Sequence, residues 1–197
     1  MTAALPISQI PCCPVCSGKC ALSTWAETHA RPLLSPLGRR WRHSVAVAGT
    51  ARVLARSLTP EDGDVLVAAA YLHDVGHAPK LALSGFHPLD GARHIRALGH
   101  GRLAGLVAHH TGAQHEAELR GLQQELAGFN DEQSLVSAAL AYCDLANGPS
   151  GEPLTPEQRL ADVEARYGYD SPVTTGMRTA WPQLLDAVTR VEELRQP

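Results

Sequence analysis

From Ser23 onward apolar residues recur at three- and four-residue intervals, the period of an amphipathic helix. Ser23 can cap a first helix through Trp25, Ala26 and Ala30, with Pro32 disrupting its end. Residues 39–58 read as one long amphipathic helix. Thr59 as N-cap, with Pro60 in the first helical position, starts the next, which runs to His73 and Asp74. Residues 75–86 form a loop of Gly, Pro and Ser, and helices are expected over 87–98, 102–110 and around 116–126. Asn130-Asp131-Glu132-Gln133 opens another that leads to Asp144, and Asn147-Gly148-Pro149-Ser150-Gly151 breaks the chain. Thr155-Pro156-Glu157-Gln158 carries a capping box for a helix that runs to Tyr167 and stops at Gly168, and Ser171-Pro172 begins a last one through Leu194. No stretch alternates apolar and polar residues convincingly, so no sheet is expected. The pattern predicts an all-α helical bundle without internal repeats, its last two helices acting as a buttress.

Composition narrows the picture. A chain of 197 residues suits one compact domain with a sizeable core, and 44% hydrophobic residues is ordinary for a globular chain. A net charge of −3 without any basic run argues against a nucleic-acid partner, and 5% aromatics argues against a base-stacking platform. No apolar stretch approaches the roughly 20 residues that span a bilayer. Met1 to Ile10 lacks the basic region and apolar run of a secretory signal, so the expected compartment is the cytoplasm.

Four of the five cysteines, Cys12, Cys13, Cys16 and Cys20, crowd one short segment. Cys13-x-x-Cys16 has the spacing of half a zinc ribbon, and Cys20 could add a third thiolate. No second pair follows, because the remaining cysteine is Cys143. Residues 1–22 are therefore expected to be a flexible, non-catalytic extension, with a small zinc knot as the alternative. Residues 23–197 are expected to form a single domain, with a core at about 40–147 and C-terminal helices at 155–195.

The candidate chemistry centres on Tyr71-Leu72-His73-Asp74-Val75-Gly76-His77. Leu66, Ala69, Ala70, His73 and His77 share a helical face, which turns both imidazoles inward. Adjacent His and Asp offer one nitrogen and two oxygens, a mixture suited to first-row transition metals rather than Ca or Mg. A capping His and a solvated Asp is the alternative for this pair alone. Further candidates lie on separate segments: His43 on a stripe with Val47 and Leu54, His87 at a helix start, His109 and His110, and Asp144 four residues after Leu140. Helical phase turns His110 inward, on the stripe of Leu103, Leu106 and Val107. His29, His94, His100 and His115 are read as surface residues, and Cys143 as buried filler.

His43, His73-Asp74 and Asp144 together resemble the HD superfamily of metal-dependent phosphohydrolases, in which these four positions hold a first metal. His87-Pro88-Leu89-Asp90-Gly91 and His109-His110 resemble the subset with two or more metals. In particular they are similar to the cyclic-di-GMP phosphodiesterase branch and to bacterial diadenosine tetraphosphate hydrolases. The resemblance covers roughly residues 40–147 and implies an HD-domain helical bundle. The chain departs from the cyclic-dinucleotide branch in having His77 where Lys is usual, with Lys80 following. It also reads Thr111-Gly112-Ala113-Gln114-His115-Glu116 where Gly-Tyr-Pro is expected, which counts against cyclic-di-GMP cleavage.

The resemblance implies two divalent transition metals, Fe, Mn or Co, with Ni or Zn as further options. His43, His73, Asp74 and Asp144 would hold the first, and His87 with His109 chiefly the second, Asp74 bridging; the family pattern thus favours His109 where helical phase favours His110. Asp74, His77 and Lys80 are the expected catalytic groups, and Arg93 the residue that could reach a substrate phosphate. The implied activity is hydrolysis of a phosphate ester or anhydride of a small molecule, a nucleotide, by metal-activated water. A di-iron oxygenase and a non-catalytic sensor or scaffold module are the alternatives.

Overall fold

The computed structural model describes residues 21–195, so the cluster of Cys12, Cys13, Cys16 and Cys20 lies outside it. Its helices, in chain order, are α1 (Leu22–Leu34), α2 (Arg39–Leu54), α3 (Pro60–Leu72), α4 (His87–Ala97), α5 (Gly101–His109), α6 (Ala113–Arg120), α7 (Gln123–Leu126), α8 (Leu135–Leu145), α9 (Pro156–Tyr167) and α10 (Pro172–Leu194). Among the described residues there is no strand, only a single antiparallel bridge between Asn147 and Pro153 that closes the break after α8. The fold is all-α, as the periodicity predicts.

Helix α3 is the spine. Every side chain from Val65 to Leu72 is buried, which a helix achieves only when neighbours surround it. Those neighbours are α1, α2, α8 and α5. Fully burying a leucine such as Leu66 or Leu72 contributes about 1.5–3 kcal/mol, so this short run anchors much of the main core. A second cluster joins Ala138, Ala141 and Leu145 of α8 to Val163 of α9 and to Met177, Ala180, Leu184 and Ala187 of α10. Helix α8 is thus apolar on both sides, with the C-terminal pair covering the side away from α3.

Several ends differ from the pattern-based reading, each for a local reason. Helix α1 runs through Pro32 to Leu34 because Leu33 and Leu34 are both buried. Its cap is not Ser23: the Asp64 carboxylate on α3 accepts from the Leu22 and Ser23 amides at 2.7 and 3.0 Å. The expected helix around 116–126 is two, divided at Gly121, whose φ of 70° is left-handed. Helix α8 starts at Leu135 rather than near Asn130, since Gln133 has φ 44° and Ser134 caps through its hydroxyl. The caps at Thr59, Thr155 with Gln158, and Ser171 form as read. His29, His94 and His100 are half-buried rather than surface groups: Trp25 packs on His29 and His100, and His29 meets His94 Nε2 to Nε2 at 2.8 Å. No helix among the described residues is long and apolar enough to cross a membrane.

Because Asp64 supplies two amide acceptors at once, Asp64→Ala should lower stability by about 1–2 kcal/mol, as for the loss of an N-cap. Thermal unfolding should show a drop of several degrees; an unchanged Tm would mean that water replaces the carboxylate without penalty.

Candidate metal centre

Five helices and their exits converge on one buried point. Helix α2 brings His43 in its second turn, and the end of α3 brings His73 and Asp74. His77 follows in a 3-10 turn, Val75–His77, which starts once Asp74 (φ −97°, ψ 3°) leaves helical geometry. His87 is the first residue of α4, His110 lies just past α5, and Asp144 sits in the last turn of α8. His43, His73, Asp74, His110 and Asp144 are buried, whereas His77 and His87 are partly open.

A glycine makes the convergence possible. A Cβ on Gly76 would lie 2.0 Å from the His87 carbonyl oxygen and 2.7 Å from the Gly91 nitrogen. The turn after α3 therefore lies directly on the first turn of α4, and the His77 and His87 rings stack 4.0 Å apart at 15°. On the far side, the buried Asp90 carboxylate accepts from the Leu83 and Ser84 amides at 3.0 Å and so ties the loop 78–86 back onto α4.

Hydrogen bonding determines what these imidazoles can bind. Nδ1 of His43, His73 and His110 faces the carbonyl oxygens of Gly148, Ala70 and Val107 at 3.0, 2.8 and 2.7 Å. Carbonyls only accept, so each Nδ1 carries the hydrogen and each neutral ring presents a bare Nε2 lone pair. Yet His43 Nε2 stands 3.3 Å from His73 Nε2 and 3.0 Å from Asp144 Oδ1. His87 Nε2 likewise stands 3.3 Å from His110 Nε2 and 3.4 Å from Asp74 Oδ1. Buried His77 Nε2 has no hydrogen-bond partner, and Asp74 Oδ1 is 3.5 Å away. The bare Nε2 atoms of His43 and His73 and the Asp144 carboxylate, gathered this closely without hydrogens between them, repel one another unless a cation sits among them. Two sets bring ligand atoms within 4.8 Å of one another: His43, His73 and Asp144, and beside it Asp74, His77 and His87. Mixed imidazole and carboxylate donors in this number suit a first-row transition metal.

The protonation states agree with that chemistry. Burial pushes His73 and His77 down to about 4, only partly opposed by nearby carboxylates, and pushes His87 well below the usual range. Burial alone would raise the Asp74 carboxyl, but Arg40 and the surrounding histidines outweigh it and hold it well below the carboxylate range. For Asp144 the burial effect is outweighed chiefly by the Arg159 guanidinium. Neutral imidazoles and ionised carboxylates are the forms that ligate metals.

Residues 40–164 match the model of the HD domain family. The chain belongs to the HD domain family. No curated protein and no solved structure matches it. The HD domain is that of a superfamily of metal-dependent phosphohydrolases, and the match is to the domain as such, without reaching its narrower branches. The HD span takes in every residue of the cluster and ends within α9.

Around the HD cluster the structure adds groups that the sequence reading did not single out. Arg40, one helical turn before His43, donates to Asp74 Oδ2 at 3.0 Å and to the Tyr167 hydroxyl at 2.9 Å. Arg159 on α9 donates to Asp144 Oδ1 at 3.0 Å and to Asp162 at 3.2 Å. Thr111 donates to Asp144 Oδ2 at 2.6 Å from a left-handed conformation, φ 52° and ψ 37°. For a β-branched residue that conformation costs on the order of 1–2 kcal/mol, so the bond to Asp144 is kept at the expense of local strain. A pocket opens beside the two ligand sets, lined by the polar groups of Arg40, His77, Thr111 and Arg159 together with the apolar Val163, Val173 and Met177.

Three residues expected at the site stand elsewhere. His109 turns away, its Nε2 donating to the Phe129 carbonyl at 3.1 Å, and His110 takes the inward place because α5 ends between them. Lys80 is exposed and does not line the pocket; its charge acts on His29 and His94 instead. Arg93 is paired with Asp90 and Glu125 and is likewise absent from the pocket wall. Cys143 is buried behind Asp144, and burial raises its thiol far above the usual range, which leaves it inert.

Gly76→Ala tests whether the close approach organises the site. The added methyl should push α4 away from Asp74 and His77, lowering stability by about 1–3 kcal/mol and weakening metal binding at least tenfold in a competition titration with a chelator. Wild-type affinity in a folded variant would show that the approach is incidental.

Proposed function

We propose that this chain is a dinuclear metal-dependent phosphohydrolase that cleaves a phosphate ester or anhydride of a nucleotide with a metal-activated water. The observation that carries the reading is the pair of adjacent ligand sets, which meet along His73 and Asp74 and gather imidazole nitrogens and carboxylate oxygens, with the Nε2 lone pairs of His43 and His73 bare. His43, His73 and Asp144 would hold one metal; His77 and His87, with His110 beside them, would hold the other, and Asp74 would bridge. When bound, such a pair lowers the pKa of a shared water and neutralises charge on a phosphoryl group undergoing in-line displacement.

The chain's own residues supply position and charge. Arg40 fixes the rotation of the Asp74 carboxylate, and Thr111 with Arg159 fixes that of Asp144. The backbone carbonyls of Gly148, Ala70 and Val107 hold His43, His73 and His110 in the Nδ1–H tautomer. Attack by a metal-activated water needs no covalent nucleophile, and Cys143, buried and protonated, offers none. The same donors would hold two irons for oxygen chemistry, but guanidinium groups around the pocket favour a phosphorylated substrate over a neutral one.

Asp74→Ala should abolish binding at both positions, because it removes the shared ligand. His87→Ala should keep one metal and lose on the order of a thousandfold in rate, the scale of several kcal/mol of transition-state stabilisation. Metal content of purified variants, with turnover on mono-, di- and dinucleoside polyphosphates, reads both effects. A His87→Ala variant with undiminished turnover contradicts the dinuclear reading, and inactivity of manganese-, cobalt- and iron-loaded wild type across all phosphate esters contradicts hydrolysis.

A further inference from the structure

Two guanidinium groups at the pocket mouth share one neutral acceptor. Arg40 Nη2 donates to the Tyr167 hydroxyl at 2.9 Å, and Arg166 Nη1 approaches the same oxygen at 3.4 Å. A phenol oxygen brings no charge to set against two cations, whereas an anionic oxygen adds Coulomb attraction to both and can accept from a guanidinium in a bidentate pair. Tyr167 is also well placed to leave. It is the last residue of α9, 39% exposed, and is followed by Gly168 at φ 86°.

The charge balance points the same way. Arg40 leans on Asp74, Arg159 on Asp144 and Asp162, and Arg166 on Asp162 alone. Once Asp74 and Asp144 serve as metal ligands, Asp162 is the carboxylate left to balance three guanidinium groups. Glu116, also on the pocket wall, is already paired with Arg120 at 2.7 Å. Two cationic side chains then stand uncompensated in a confined space, which suits a dianionic group. Arg166 and Tyr167 follow residue 164, so the HD match itself does not include them.

We propose that Arg40 and Arg166 form an anion subsite for the substrate's phosphoryl oxygens, which the Tyr167 hydroxyl occupies until the substrate displaces it. The inference rests on the phosphohydrolase reading but is tested separately from it. Binding of inorganic orthophosphate to the manganese-loaded protein is measured by calorimetry for wild type, Arg166→Gln and Tyr167→Phe. Wild type should bind one orthophosphate per chain. Arg166→Gln should weaken it about tenfold, the scale of one charge-assisted contact. Tyr167→Phe should tighten it severalfold, because the competing hydroxyl is gone while the ring remains.

The opposite signs separate a displaceable occupant from a structural tyrosine, for which Tyr167→Phe would weaken binding as Arg166→Gln does. Equal affinities in all three proteins, weakening by Tyr167→Phe, or no orthophosphate binding by wild type overturns the subsite. Should Arg166→Gln fail to fold, Tyr167→Phe still decides by its sign. The predicted shifts without turnover on any phosphate ester would leave the subsite standing and remove the hydrolase reading.

Discussion

Imidazole lone pairs held against one another in a buried pocket are what the rest of this structure serves. Each of His43, His73 and His110 spends its Nδ1 hydrogen on a backbone carbonyl, which leaves Nε2 of His43 and His73 as facing acceptors 3.3 Å apart. Burying unpaired polar groups is costly, of the order of a few kcal/mol each when nothing compensates them. The arrangement becomes favourable when a cation satisfies them together. A metal bound there would be coupled to folding: the bundle supplies the rigidity that keeps the ligands together, and a cation would relieve their repulsion.

That rigidity comes from specific devices rather than from general burial. Helix α3 is apolar on every side and ends at His73, so the ligands project from the most enclosed part of the core. Gly76 lets the following turn touch α4, and Asp90 secures the loop between them. Thr111 accepts an unfavourable backbone conformation to reach Asp144. Helices α9 and α10 then add what the ligand cluster lacks, namely the polar Arg159, Arg166 and Tyr167 and the apolar Val163, Val173 and Met177. In this account the α2, α3, α4, α5 and α8 region holds the metal, and the C-terminal pair shapes what approaches it.

Much of the fold was legible because helical periodicity and capping are local. Thr59, Thr155 with Gln158, and Ser171 announce their helices within a few residues. The ligand-bearing residues were legible too, because His and Asp on inward helical faces are conspicuous. What escaped the reading depends on distant packing. Asp64 caps a helix start 42 residues away, and no local pattern signals that. Arg40 and Arg159 are charges on helices, indistinguishable in sequence from solvated ones until the tertiary fold brings them to Asp74 and Asp144. The choice between His109 and His110 turned on where α5 ends; helical phase pointed to the residue that faces inward, against the family pattern. Arg93 illustrates the reverse case, a cation near the motif in sequence whose partners in the fold are Asp90 and Glu125.

The most direct test of two adjacent metal positions is anomalous diffraction from crystals of the manganese-loaded protein, recorded above and below the manganese absorption edge. Two anomalous peaks are expected in each chain, roughly 3.5–4 Å apart as in other two-metal sites. One should lie among Nε2 of His43 and His73 and the Asp144 carboxylate, the other beside His77 and His87, with Asp74 between them. A single peak, or peaks away from these side chains, would contradict the dinuclear reading.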